Sequence, residues 1–158
     1  WGDHTETVAL DFDPDIISYE SLLQKFWKSH NPFTPHRNQY MSAIFYHNQT
    51  QKQLAEHSMA DLQKESVQPI ATKILPAETF YNAEDYHQKY MLRQHIPYMK
   101  GFELSDEDII TSSAAAKLNG FLGGFGDIET FEKVQEEIDL TPTQVRYITR
   151  QIEKKCRY

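Results

Sequence analysis

At 158 residues the chain is the size of one compact domain, and its 39% hydrophobic and 13% aromatic content suffices for a core without covalent staples. A formal net charge of −7, with acids spread along the length, argues against a nucleic-acid footprint. The single cysteine, Cys156, excludes an internal disulfide framework and a cysteine-rich zinc centre.

The predicted elements alternate strand and helix before giving way to helix alone. Thr5 to Phe12 alternates, with Val8, Leu10 and Phe12 on one face, which predicts a half-buried strand. Asp13-Pro14-Asp15 turns the chain, and Ser18 is placed to N-cap a helix with Leu22, Leu23, Phe26 and Trp27 on one stripe. Asn31-Pro32 ends that helix, and a loop rich in Pro and His leads to Tyr40. Ser42 to Tyr46 is short, apolar and aromatic, as buried strands are. Gln49 to Lys64 has helical composition, with Leu54, Ala55, Ser58 and Leu62 inward, and Ile70, Thr72 and Ile74 alternate as a third strand. Ala83 to Met91 predicts one or two further helical turns, with His87 and Tyr90 on the same side.

Beyond His95 only helix signals remain. Ser105 followed by Asp108 is a helix start, and Thr141-Pro142-Thr143-Gln144 is a stronger one, with a capping Thr, Pro at the first helical position and Gln at the third. Val145, Ile148 and Ile152 share a face of the terminal helix. The glycine cluster at 120–126 lacks the Lys-Ser/Thr of a phosphate loop and is expected to turn the chain between helices. The fold class is α+β, organised as a core over residues 1–95 and a helical extension over 96–158.

The first chemical candidate is Glu6, in Gly2-Asp3-His4-Thr5-Glu6 at the mouth of the expected strand. A carboxyl flanked by apolar residues can have its pKa raised by burial and act as a proton donor; the alternative is an ordinary exposed acid at a strand edge. The histidines His4, His30, His36 and His47 lack metal-site spacing, so no metal is expected. His87 and Tyr90 serve either as groups supporting a site or as a partly buried structural pair.

Gly-Asp-His-Thr-Glu before a strand, Asp13-Pro14, Ile17-Ser18-Tyr19-Glu20 and Phe26-Trp27 followed by His30 resemble, in order and spacing, the middle of type-A peptide methionine sulfoxide reductases. Gln39 to His47, Gln51-Lys52, Phe80-Tyr81 and Ala83-Glu84-Asp85-Tyr86-His87-Gln88-Lys89-Tyr90 continue the resemblance, and Lys117-Leu118-Asn119-Gly120 is similar to the extension of some members. The resemblance implies a two-layer α+β sandwich with a ferredoxin-like core, incomplete at its N-terminus. It implies that a cysteine thiolate attacks the sulfur of a methionine S-sulfoxide, giving methionine and a sulfenic acid. Glu6 then corresponds to the acid that protonates the departing oxygen, and Tyr40 to the hydroxyl that orients it.

Two departures from the family pattern follow. The family nucleophile lies in a Gly-Cys-Phe-Trp motif, absent from these 158 residues; Trp1 is not that motif's Trp, being five residues before Glu6. The nucleophile is expected upstream of Trp1 in a longer protein, and the present chain is expected to be a fragment, inactive alone. Many members also carry an Asp before the active-site Tyr, whereas Pro32 to Asn38 is shorter and holds no acid, leaving that role unfilled or with Asn38. Cys156, flanked by Lys154, Lys155 and Arg157, is either a resolving cysteine on a mobile arm or a bystander thiol.

By resemblance, the substrates are oxidised proteins or free methionine sulfoxide, the electron donor is thioredoxin, no bound cofactor is needed, and the complete protein is a monomer. With no apolar run long enough for a bilayer and no signal-peptide pattern, a cytoplasmic location is expected, or a mitochondrial one if a transit peptide precedes Trp1. The competing expectation is a non-catalytic relative that binds methionine-rich or oxidised protein surfaces.

Overall fold

The computed structural model describes residues 4–155. The chain divides into two compact units, one running to Phe80 and one from Tyr81. The α+β class expected from the sequence is the class observed: two short strands among many helices, with helices alone toward the C-terminus.

In the first unit, helix α1 (Tyr19–Ser29) begins at Ser18, whose hydroxyl accepts the Ser21 amide at 3.2 Å. Its apolar stripe turns Leu23 inward, and the helix stops at His30, where the backbone becomes extended ahead of Pro32. Strand β1 (Ala43–Tyr46) leads through Asn48, which caps helix α2 (Gln49–Lys64) by accepting the Gln51 amide at 2.9 Å, to strand β2 (Lys73–Pro76). The strands pair in parallel, Ala43 beside Lys73 and Ile44 beside Ile74, as a helical crossover requires. Leu23, Ile44 and Ala55 form the centre of a core flanked by Tyr19, Phe26, Trp27, Leu54 and Ile74, so one layer of helices covers one layer of sheet. Ser58, on the inward face of α2, accepts the Trp27 indole N–H at 3.0 Å.

Two strand expectations change. Residues 5–12 do not form a strand: among the described residues, the only backbone bond they make to another segment is from the Glu6 amide to the Gln39 carbonyl. Alternation marks a buried face only where a neighbour pairs with it, and here Val8 and Leu10 are 81% and 68% exposed. Only Phe12 is tucked away, its ring stacked on Tyr19. The third predicted strand begins later than expected, at Lys73, because Ala71 and Thr72 bond to Pro32 and Ser42 before the ladder starts.

The second unit packs helices α3 (Tyr90–His95), α4 (Asp106–Thr111), α5 (Ser113–Gly123), α6 (Ile128–Val134) and α7 (Pro142–Lys155) around Leu92, Leu118, Leu122, Phe131, Ile148 and Ile152. Both predicted helix starts are present. Ser105 and Asp108 form a reciprocal capping box, and Thr141 and Gln144 do likewise, with the Thr141 amide donating to Oε1 of Gln144 at 2.8 Å. The buried Gln144 side chain also donates to the Lys100 carbonyl.

The single helical stretch expected over 83–91 is broken in two. A short turn at Asp85–His87 is separated from α3 by Lys89, whose backbone is left-handed with φ 49°, so His87 and Tyr90 do not share a helix face. The Lys89 ammonium donates to the Ile110 carbonyl at 3.2 Å.

The glycine cluster is only partly a turn. Leu118, Phe121 and Leu122 bury their side chains from one face of α5, which carries the helix through Gly120 and Gly123 despite about 1 kcal/mol lost at each. The turn itself starts at Gly124, with φ 93°, and continues through Gly126, with φ 90°, where a Cβ would come within 2.6 Å of the Phe121 ring. The expected turn at 120–126 is therefore helix through Gly123 and turn only from Gly124 on.

His95 and Tyr147 meet at 2.7 Å between Nδ1 and the phenol oxygen. Burial, then the positive charges of Lys155 and Lys154, hold His95 below the ordinary histidine range, while burial and Tyr98 raise Tyr147. A depressed folded-state pKa means that the unfolded chain binds more protons below about pH 6.5, so stability present at neutral pH is lost as pH falls. The denaturation midpoint should decline between about pH 7 and pH 5, and His95→Gln should flatten that decline. A profile unchanged by His95→Gln would place the dependence elsewhere.

Candidate functional site

The residues singled out in the first unit converge on one short turn. The chain reaches Arg37 extended and tightens over Asn38–Tyr40, where the Tyr40 amide donates to the Arg37 carbonyl at 2.9 Å. It is extended again at Met41, and β1 begins two residues on. Tyr40 is left 59% exposed, its phenol on the surface.

Glu6 is bound to this turn through Gln39. Its amide donates to the Gln39 carbonyl at 2.9 Å, and the Gln39 side-chain amide donates to Glu6 Oε1 at 3.0 Å. The Thr5 hydroxyl adds a bond to the Asn38 carbonyl at 3.0 Å. One residue thus fixes both the backbone and the carboxylate of Glu6 next to Tyr40 in the chain.

Of the two alternatives for Glu6, the exposed acid is the one observed, though not at a strand edge. The segment lies on the surface without a strand neighbour, and the Glu6 side chain is exposed.

The other end of the turn is held by groups to which the sequence reading gave no role in the site. His30 places Nε2 2.7 Å from the Ser42 hydroxyl, which is 2.7 Å from the Thr72 hydroxyl, itself buried. In the sequence Gln39 and His30 are visible only as members of the motifs that carry the family resemblance, with no role of their own.

His87 and Tyr90 belong to the second unit. His87 is exposed, with its ring against Tyr86 and Nε2 3.9 Å from the Glu84 carboxylate; Tyr90 opens α3 and is 56% exposed. Neither is half of a buried structural pair. Cys156 lies outside the described residues, as do Gly2 and Asp3. Among the described residues, no three His, Cys, Asp or Glu side chains come together as metal ligands do.

Comparison with known proteins bears on the whole arrangement. Residues 2–118 match the family model described as peptide methionine sulfoxide reductase, and residues 103–153 match that of the helical domain of selenoprotein methionine sulfoxide reductase A. A peptide methionine sulfoxide reductase of Drosophila melanogaster is 42% identical over 97% of this chain and 63% of its own length. Proteins with the same description from Methanosarcina acetivorans and Pasteurella multocida are 48% and 45% identical over 55% and 57% of this chain, and 50% and 55% of their own lengths. The chain thus spans between half and two thirds of the length of these three relatives. These matches establish that the chain belongs to the peptide methionine sulfoxide reductase family.

Proposed function

We propose that these residues form the acid-and-orienting half of a peptide-methionine (S)-S-oxide reductase. The observation that carries the proposal is the clasp of Gln39 on Glu6 beside Tyr40, within a chain matched to the family over most of its length. A sulfoxide is a poor electrophile until its oxygen gains a proton. Glu6 supplies that proton and the Tyr40 hydroxyl orients the oxygen, while a thiolate attacks sulfur. The oxygen passes from sulfoxide to thiol: methionine is released reduced and the cysteine becomes a sulfenic acid. A second thiol condenses with the sulfenic acid to a disulfide with loss of water, and a dithiol donor, thioredoxin, reduces that disulfide.

Within this scheme the attacking thiol belongs to a Gly-Cys-Phe-Trp segment of the whole protein, and Cys156 is the candidate for the second thiol. Glu6 is exposed in the present structure. In the scheme the bound substrate and that segment exclude water from it, which favours its neutral, proton-donating form.

The 158-residue chain alone should not reduce a methionine S-sulfoxide with dithiothreitol. Turnover that vanishes in Cys156→Ser would make Cys156 the nucleophile and overturn the scheme.

In a version extended upstream to carry the cysteine motif, Glu6→Gln should slow sulfenic acid formation by roughly 10²–10⁴, the usual scale for loss of a general acid. Tyr40→Phe should cost less, and Gln39→Ala should lower the same rate by about fivefold through loss of one hydrogen bond of about 1 kcal/mol. Single-turnover kinetics that ignore Glu6→Gln would remove the acid role.

A further inference from the structure

The imidazole of His30 is held at both nitrogens, and the pattern fixes where its protons are. Nδ1 lies 2.9 Å from the Phe26 carbonyl, an acceptor only, so Nδ1 carries a hydrogen and donates. The Ser29 hydroxyl is not available to donate to Nδ1, because it donates to the same Phe26 carbonyl at 2.8 Å. In the neutral ring Nε2 is therefore bare, and it accepts the Ser42 hydroxyl proton at 2.7 Å.

The remaining protons then fall into one order. The Ser42 oxygen, its own proton committed to His30, accepts from Thr72 at 2.7 Å. Thr72 also lies 3.5 Å from the Pro32 carbonyl, but that contact is at the limit of a hydrogen bond, and the carbonyl already receives the Ala71 amide at 2.8 Å. Every polar group in the knot is satisfied by one assignment, and it ties together the end of α1, buried Pro32, the entry to β1 and the entry to β2. The edge of the His30 ring meets Phe26 at 4.7 Å, which fixes its plane.

Tyr40 stands two residues before Ser42, and among the described residues two sets of anchors hold its turn from either side. Thr5 and Glu6 bind Asn38 and Gln39 on one side. On the other, Ser42 is held by its hydroxyl in the knot and by its carbonyl, which accepts the Lys73 amide at 3.0 Å. We infer that His30, fixed as the Nδ1–H tautomer, is a positioning residue for Tyr40, acting through the Ser42 hydroxyl. Its meaning for catalysis rests on the role proposed above for Tyr40; the placement itself does not.

The test uses the 158-residue chain. Nitrogen-15 spectra of labelled histidine at pH 8 should show His30 as the Nδ1–H tautomer, the opposite of the form a free imidazole prefers. Ser42→Ala removes the hydroxyl without disturbing the His30 contact with Phe26, and His30→Ala removes the ring. Both should displace the same Tyr40 ring and Gln39 amide signals, the double variant no further than either single one, while the Leu23 and Ala55 core signals stay in place. His30→Gln, whose side-chain oxygen can accept from Ser42, should restore much of the Tyr40 position.

A neutral His30 carrying its proton on Nε2 would overturn the inference, and that result needs no variant to fold. Tyr40 signals indifferent to both Ser42→Ala and His30→Ala would overturn it as well. If those signals move as expected but sulfoxide reduction by the upstream-extended protein is unaffected, the positioning stands and the role of Tyr40 fails.

Discussion

Two four-residue strands paired in parallel do not hold themselves together in water, and the first unit is organised around that weakness. Parallel pairing demands a long crossover, which α2 supplies, and a crossover helix is useful only if its apolar side covers the sheet it connects. Leu54 and Ala55 meet that demand from α2, and Leu23 and Phe26 add the cover of α1. The two strand entries are thereby brought side by side, Ser42 facing Thr72 and the Ser42 carbonyl taking the Lys73 amide. The chemical candidates occupy the chain just outside that entry. A surface loop gains definition there because both strands beneath it start at fixed points.

Much of this was legible in the residues, and the parts that were not share a cause. Helices announce themselves locally: Ser18, Asn48, Ser105 and Thr141 each accept the amide three residues on. The SAIFY strand needs no partner to be recognised, because four of its five residues are apolar or aromatic. Residues 5–12 show the opposite situation. Their alternation is genuine, but strandedness is a property of a pair, and the pattern says nothing about whether a neighbour is present. The break at Lys89 was hidden for a different reason: a lysine in a left-handed conformation leaves no compositional trace, as a glycine would have.

The candidate site was legible to the same extent. Glu6 and Tyr40 stand out through family resemblance, yet their joining residue does not, since a glutamine that bonds once through its carbonyl and once through its side chain looks like any surface glutamine. The knot behind Tyr40 is harder still. Its members, His30, Ser42 and Thr72, are separated by 12 and 30 residues, and each is a common surface residue type when read alone. Their relation exists only once α1, β1 and β2 have been assembled. The choice between a buried and an exposed Glu6 stayed open in the sequence for a related reason: apolar neighbours in sequence do not desolvate a carboxylate when they too face water, as Val8 does.

The left-handed Lys89 illustrates how two opposed contributions can hide a constrained position. A non-glycine residue in that conformation costs about 1–2 kcal/mol, and the bond from its ammonium to the Ile110 carbonyl returns a similar amount. Glycine at this position would relieve the first and forfeit the second, so a melting curve would register almost nothing. The constraint is one of direction rather than of energy: the backbone at Lys89 sets the angle at which α3 departs from the Asp85–His87 turn. Tyr90 is carried by the first residue of that helix, so a substitution silent in stability would still re-aim an exposed phenol.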